Sequence, residues 1–236
     1  MKLSMTYRVR TRGFNHLFDE TVRLYRQAVS FFVDVCLTEW NLISTEKLQK
    51  ERVNLVESLT IQTKQNPVVS YDFSAEFYKF PSYLRRAAIA EALGKVSSYR
   101  SNLANWEAAD SAKRGEKPSL PQVGYVYPAM YRSSMFIRTG IYQAALKVFI
   151  RNTWDWVLVD LRKSDADYIL RHCKNYRECV PTLQKRGKKW FLDFVFQTAV
   201  KLPDTKIQHT RILAVDLGLN SACTCSIMTP EGAVLG

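Results

Sequence analysis

The stretch "RILAVDLGLNSACTCSIMTPEGAVLG", Arg211 to Gly236, decides how the rest of the chain is read. Four apolar residues, Ile212 to Val215, lead into one carboxylate, Asp216, and Gly218 lets the chain turn away just behind it. "SACTCSIM" predicts a second strand, and "TPEG" (Thr229 to Gly232) places Pro and Gly for a β-turn into a third, "AVLG". A carboxylate ending a buried strand beside glycine is a hard oxygen ligand that a metal ion or a phosphate can approach. A turn-forming Asp is the simpler alternative, and the apolar run before it weighs against that.

The remaining composition points to a polyanionic partner. The chain has 236 residues, 47% of them hydrophobic, enough to bury a core. Its 34 Lys and Arg against 22 Asp and Glu give a formal charge of +12, and nucleic acid is the commonest partner for such a balance. The longest apolar run, "AVSFFVDVCL", is broken by Ser30 and Asp34 and is too short to span a membrane. The N-terminus lacks the apolar segment of a signal peptide, so a cytoplasmic protein is expected. Five cysteines in no C-x-x-C pairing read as reduced thiols with no zinc site, and His172, Cys173 and Cys179 make only a partial ligand set.

Along the chain, strand and helix signals alternate in an unusual order. Leu3, Met5, Tyr7 and Val9 alternate with Lys2, Ser4, Thr6, Arg8 and Arg10, which predicts a half-buried strand with a cationic outer face. Gly13 ends it, and Asn15 is placed to cap a helix whose apolar residues Leu17, Leu24, Tyr25, Ala28, Phe31, Phe32 and Val35 recur at threes and fours. A second helix is predicted from about Thr45 to Leu59 and a third from Pro81 to Trp106. One face of the third collects Ala87, Ala90, Gly94, Ser97, Ser98, Ser101 and Asn105, with Arg86 and Arg100 at its margin. So small a face admits either another helix or a nucleic-acid backbone.

After the linker "EAADSAKRGEKPSLPQVG" the pattern turns to β. "WDWVLVDL" and "KWFLDFVFQTAV" predict strands, "QKRGKK" a hairpin turn at Gly187, and "SDAD" (Ser164 to Asp167) a capping box opening a short helix. The first strand needs partners, and the supply lies beyond residue 120. The fold class expected is therefore α+β, a small β-barrel or sheet split by an inserted helical domain.

Two chemistries use the strand, Asp and turn at residue 216. A nuclease needs the acid for Mg²⁺, joined by others so that two ions flank an in-line displacement. An actin-like or sugar-kinase ATPase follows Asp-Xaa-Gly with Thr or Ser, whereas Leu219 stands here and supplies no hydroxyl. On "ILAVDLGLNSACTCSIMTPEGAVLG", supported by "FPSYLRRAAIAEALGKVSSYRSNLANW" and "TLQKRGKKWFLDFVFQTAVKLP", the chain resembles the RuvC-type RNA-guided DNA endonucleases. These comprise the TnpB (OrfB) proteins of insertion sequences and the compact type V CRISPR effectors.

The resemblance implies a wedge-type β-barrel interrupted by a helical recognition domain and followed by the first strands of an RNase H-like (RuvC) domain. The corresponding spans are 1–13 for the first wedge strand, 14–118 for the helical domain, 119–207 for the remaining wedge strands and 208–236 for the RuvC segment. It implies guide RNA and target double-stranded DNA as partners, Asp216 as the first catalytic, Mg²⁺-binding acid, and no membrane. Nucleic-acid contacts are expected at Arg8, Arg10, Arg86, Arg100, Tyr125, Tyr127, Tyr131, Arg132, Lys185, Arg186 and Lys188, where bases and aromatics interleave. The family completes its site with a later Glu and a final Asp, and most members carry a zinc ribbon between them. None of these follows Gly236, so this chain by itself is expected not to cut. The alternative is a naturally truncated, nuclease-inactive protein that holds nucleic acid.

Overall fold

The computed structural model describes residues 2–111, 114–131, 133–201, 211–216 and 223–235, and the side chains of Asn15, Asp216 and Thr224 lie outside that description. The described chain divides into two compact units, Ser4–Thr198 and a second formed by residues 1–3 with 199–236.

The larger unit takes in β1 (Lys2–Arg12) from Ser4 onward, a strand in which Val9 is buried and the other face carries Arg8 and Arg10. Gly13 and Phe14 both take left-handed backbone angles, turning the chain into α1 (Asn15–Thr38). Phe14, not Asn15, holds the cap position, and no side chain caps this end. The short α2 (Trp40–Ile43), α3 (Gln49–Thr60), the one-turn α4 (Phe73–Glu76) and α5 (Ser82–Ala108) complete the helical part. The connector between α3 and α5 is apolar for a reason: Phe73, Phe77 and Phe80 interlock with Phe31 and Phe32 of α1, at ring separations of 4.6 to 6.0 Å.

The strands resume with β2 (Phe136–Arg138), β3 (Gln143–Ile150) and β4 (Thr153–Leu161). After α6 (Lys163–His172) come β5 (Arg177–Glu178), β6 (Thr182–Arg186) and β7 (Lys189–Ala199). They form one sheet in the order β2-β3-β4-β1-β7-β5, with β6 also on β7. The first strand therefore sits in the middle, between β4 and β7. Among the described residues the ladder is open, where a barrel was expected, with β2 and β5 at its two ends. Side chains cross that seam: the Arg138 guanidinium donates to Glu178 at 2.8 Å and lies 4.8 Å from the Phe194 ring.

Helix α1 lies against this sheet through specific contacts. Buried Thr21 accepts from the Phe149 amide at 3.0 Å on β3, and Phe18 meets Trp190 of β7 edge-on at 5.5 Å. The capping box read at "SDAD" does not form, because α6 starts at Lys163 and Ser164 already lies in its first turn. Asp165 instead accepts the Arg10 backbone N–H at 3.0 Å, tying α6 to β1.

The smaller unit contains β8 (Ile212–Asp216) and β9 (Thr224–Met228), antiparallel with Asp216 opposite Thr224. Met228 then bridges to Val234 across a turn in which Gly232 has φ +90°. Residues Leu217 to Asn220 lie outside the described residues.

On β1, Arg8 is held by Asp193 of β7 through two bonds of 2.7 and 2.6 Å, and the Asp193 side chain is only 8% exposed. Removing the acid strands a half-buried guanidinium. Asp193→Ala is expected to lose about 2–3 kcal/mol of stability, read as a lower urea midpoint at unchanged slope.

Candidate nucleic-acid interface

Three elements distant in sequence converge on one cleft. From α1 come Asp19, Arg23, Arg26, Gln27 and Ser30, which share a face because they recur at threes and fours. Val123 and Tyr127 come from the segment leading to the sheet, and Lys185 and Trp190 from the β6–β7 hairpin. The cleft encloses about 440 Å³.

Each wall is fixed by its own bonds. Arg26 donates through Nε to the Val126 carbonyl at 3.0 Å, which sets its guanidinium 4.9 Å from the Tyr127 ring centre. The Tyr127 hydroxyl donates to the Lys185 carbonyl at 3.3 Å, linking that segment to the hairpin. Lys185 pairs with Asp19 and lies 5.4 Å from the Trp190 ring centre. Arg23 is held between Glu20 and Gln27 on its own helix, and the contact with Arg23 holds the Glu20 carboxyl below its usual range.

Beyond Lys185 the hairpin tip is cationic and open. Arg186 pairs in register with Lys189 and leaves Gly187 and Lys188 as a two-residue turn, where Gly187 has φ +56°. Arg186, Lys188 and Lys189 are exposed and carry no ion pair among the described residues. Tyr125, two residues before Tyr127, is 93% exposed. Cleft and tip together present far more cationic than acidic side chains.

Of the residues named from the sequence, the structure brings Tyr127 and Lys185 together in the cleft, with Arg186 and Lys188 on the hairpin that carries Lys185. The other expected contacts do not line the cleft or are not described. Arg8 is locked to Asp193, whereas Arg10 is tied to Asp165 through its backbone alone and its half-buried side chain has no ion pair among the described residues. Arg86 binds Glu57 and Asn54 of α3, and Arg100 donates to the Leu37 carbonyl at 2.9 Å, closing the last turn of α1. Tyr131 packs on Tyr83 at 5.7 Å, and Arg132 lies outside the described residues. Arg23, Arg26, Gln27, Lys189 and Trp190 were not foreseen. The polar stripe of α1 at 23, 26, 27 and 30 was the signal that pointed to them.

The small face of α5 does not act as one surface. Ala87 is buried, while Gly94 and Ser98 line a separate shallow groove with Ser119 to Gln122. Among the described residues no group of three His, Cys, Asp or Glu side chains is placed to hold an ion, and the Asp216 side chain lies outside them. Cys173 is buried and linked to Tyr7, and the His172 ring stacks on Tyr168 at 4.1 Å. Cys223 and Cys225 are exposed, with sulfurs 3.8 Å apart. Burial pushes the Cys36 thiol up to about 12. Among the described residues no helix is long and apolar enough to cross a membrane.

Fold and cleft together define an α+β protein with a helical insertion in an antiparallel sheet and a basic, aromatic surface. The chain belongs to the Aq_aa04 family, whose model matches residues 4–150. It is similar to the uncharacterized protein aq_aa04 of Aquifex aeolicus (strain VF5), 31% identical over 133 residues, covering 51% of this chain and 74% of the Aquifex protein. The family match includes the α1 wall and Tyr125 and Tyr127. The β6–β7 hairpin follows it.

The hairpin tip depends on a backbone angle that side chains with a Cβ resist. Gly187→Ala meets open space but keeps φ +56°, so it is expected to cost about 1 kcal/mol, measured by urea denaturation against the parent chain.

Proposed function

We propose that this chain holds structured nucleic acid through the α1–hairpin cleft, as the N-terminal part of an RuvC-type RNA-guided DNA endonuclease working in the cytoplasm. The observation that supports this most is the convergence of three separate segments on one cationic and aromatic surface. Such a surface suits RNA, whose phosphates are met by Arg186, Lys188 and Lys189 and whose unstacked bases find the faces of Tyr125 and Tyr127. In this reading the sheet is the wedge domain, α1 to α5 the recognition insertion, and β8–β9 the opening of the RuvC domain. A guide supplies sequence recognition by pairing with target DNA.

Asp216 is, on this proposal, one carboxylate of an Mg²⁺ site. Two ions flanking an in-line displacement need further acids, and the Asp216 side chain lies outside the described residues. Holding nucleic acid is the activity proposed for this chain.

The test is a fluorescence anisotropy titration of the 236-residue chain with a structured RNA hairpin over a range of salt. Binding is expected to weaken steeply with salt. The double variant R186E/K188E should lower affinity at least about tenfold and reduce the salt slope by about 2, while Asp216→Asn changes neither. Salt-insensitive binding, or none, would refute the reading.

A further inference from the structure

A second cavity, of about 570 Å³, opens beside the seam where the sheet does not close. β2 and β5 stand at the two ends of the ladder and are only three and two residues long. An ion pair, Arg138 to Glu178, spans the gap in place of strand pairing, and both of its members line the cavity. The most deeply buried part of the wall comes from three strands, Val9 of β1, Leu161 of β4 and Phe196 of β7, together with Ala166 and Ile169 of α6.

The wall also includes large apolar side chains that solvent reaches. Ile141, in the turn between β2 and β3, is 50% exposed, Leu170 of α6 is 46% exposed, and both line this cavity. Single exposed aliphatic residues are ordinary on a protein surface. Two from separate elements on one concave, apolar-walled surface, whose volume falls in the small-ligand range, make a pocket. Three of the lining residues are charged. Arg138 and Glu178 neutralise each other at 2.8 Å, while Lys174, exposed just past the end of α6, has no ion pair among the described residues. The cavity therefore carries one uncompensated positive charge.

We propose that this cavity binds a small molecule with an apolar body and a single anionic group, of the class of a medium-chain carboxylate, its hydrocarbon against Ile141, Ile169 and Leu170 and its carboxylate on Lys174. The apolar wall selects the body and the one free cation selects the charge. A cationic guest of the same shape is repelled, and an uncharged one gains the wall alone. The cavity shares no lining residue with the α1–hairpin cleft, and the proposal stands independently of the nucleic-acid reading.

Isothermal titration calorimetry of the full chain with sodium octanoate tests it, with octan-1-ol and octyltrimethylammonium as the uncharged and cationic counterparts. Octanoate is expected to bind saturably and about fivefold more tightly than octan-1-ol, with octyltrimethylammonium weaker still. Lys174→Glu should abolish the preference for octanoate while leaving octan-1-ol binding unchanged, and Leu170→Ser should weaken both by about fivefold. Lys50→Glu makes the same charge change at an exposed position of α3 and is expected to alter neither. Should Leu170→Ser fail to fold by circular dichroism, the Lys174→Glu comparison decides. No saturable binding of octanoate, equal binding of the three probes, or a loss in Lys50→Glu as large as that in Lys174→Glu overturns the proposal.

Discussion

The first strand of this protein has no partner for its backbone until more than a hundred residues have followed it. β1 lies between β4 and β7, so the sheet cannot close around Val9 before the chain has passed through all of α1 to α6 and returned. Contacts so distant carry a loop-closure cost, and the structure offsets it at several points. Arg8 meets Asp193, the Arg10 amide meets Asp165, and Phe18 of α1 meets Trp190 of β7. The last contact also shapes the candidate site, because the depth at which α1 sits on β7 determines the cleft between them.

The same geometry separates two populations of arginine and lysine. Some are drawn into the frame: Arg8 to Asp193, Arg85 and Arg86 to Glu57, Arg138 to Glu178, Arg100 to the end of α1. Each of these neutralises a carboxylate or satisfies a carbonyl inside the fold, and none is a free cation for a ligand. The hairpin tip is different, since its turn projects Arg186, Lys188 and Lys189 into solvent. Net charge alone would have credited both groups equally to a polyanionic partner.

Much of the fold was legible in the sequence. Period-two alternation marked β1, the aromatic and β-branched runs marked β4 and β7, and Gly187 marked the β6–β7 hairpin. Local signals suffice where the physics is local. The two capping assignments failed for different reasons: the Asp165 carboxylate serves β1, and Phe14 takes the left-handed cap position that leads into α1. The candidate site was half legible for the same reason. An arginine's sequence neighbours do not reveal that its acid lies 185 residues away, as for Arg8 and Asp193. Likewise the stripe on α1 gained meaning only when the sheet placed Tyr127 and Lys185 opposite it.

The central claim is that nucleic acid is held in the α1–hairpin cleft, and zero-length photocrosslinking with mass-spectrometric mapping tests it most directly. After ultraviolet irradiation of the full chain with a structured RNA, adducts are expected on Tyr125, Tyr127 and the residues 186–190. Adducts confined to the open face of α5 around Gly94 and Ser98, or absent from the cleft at saturating RNA, would contradict it.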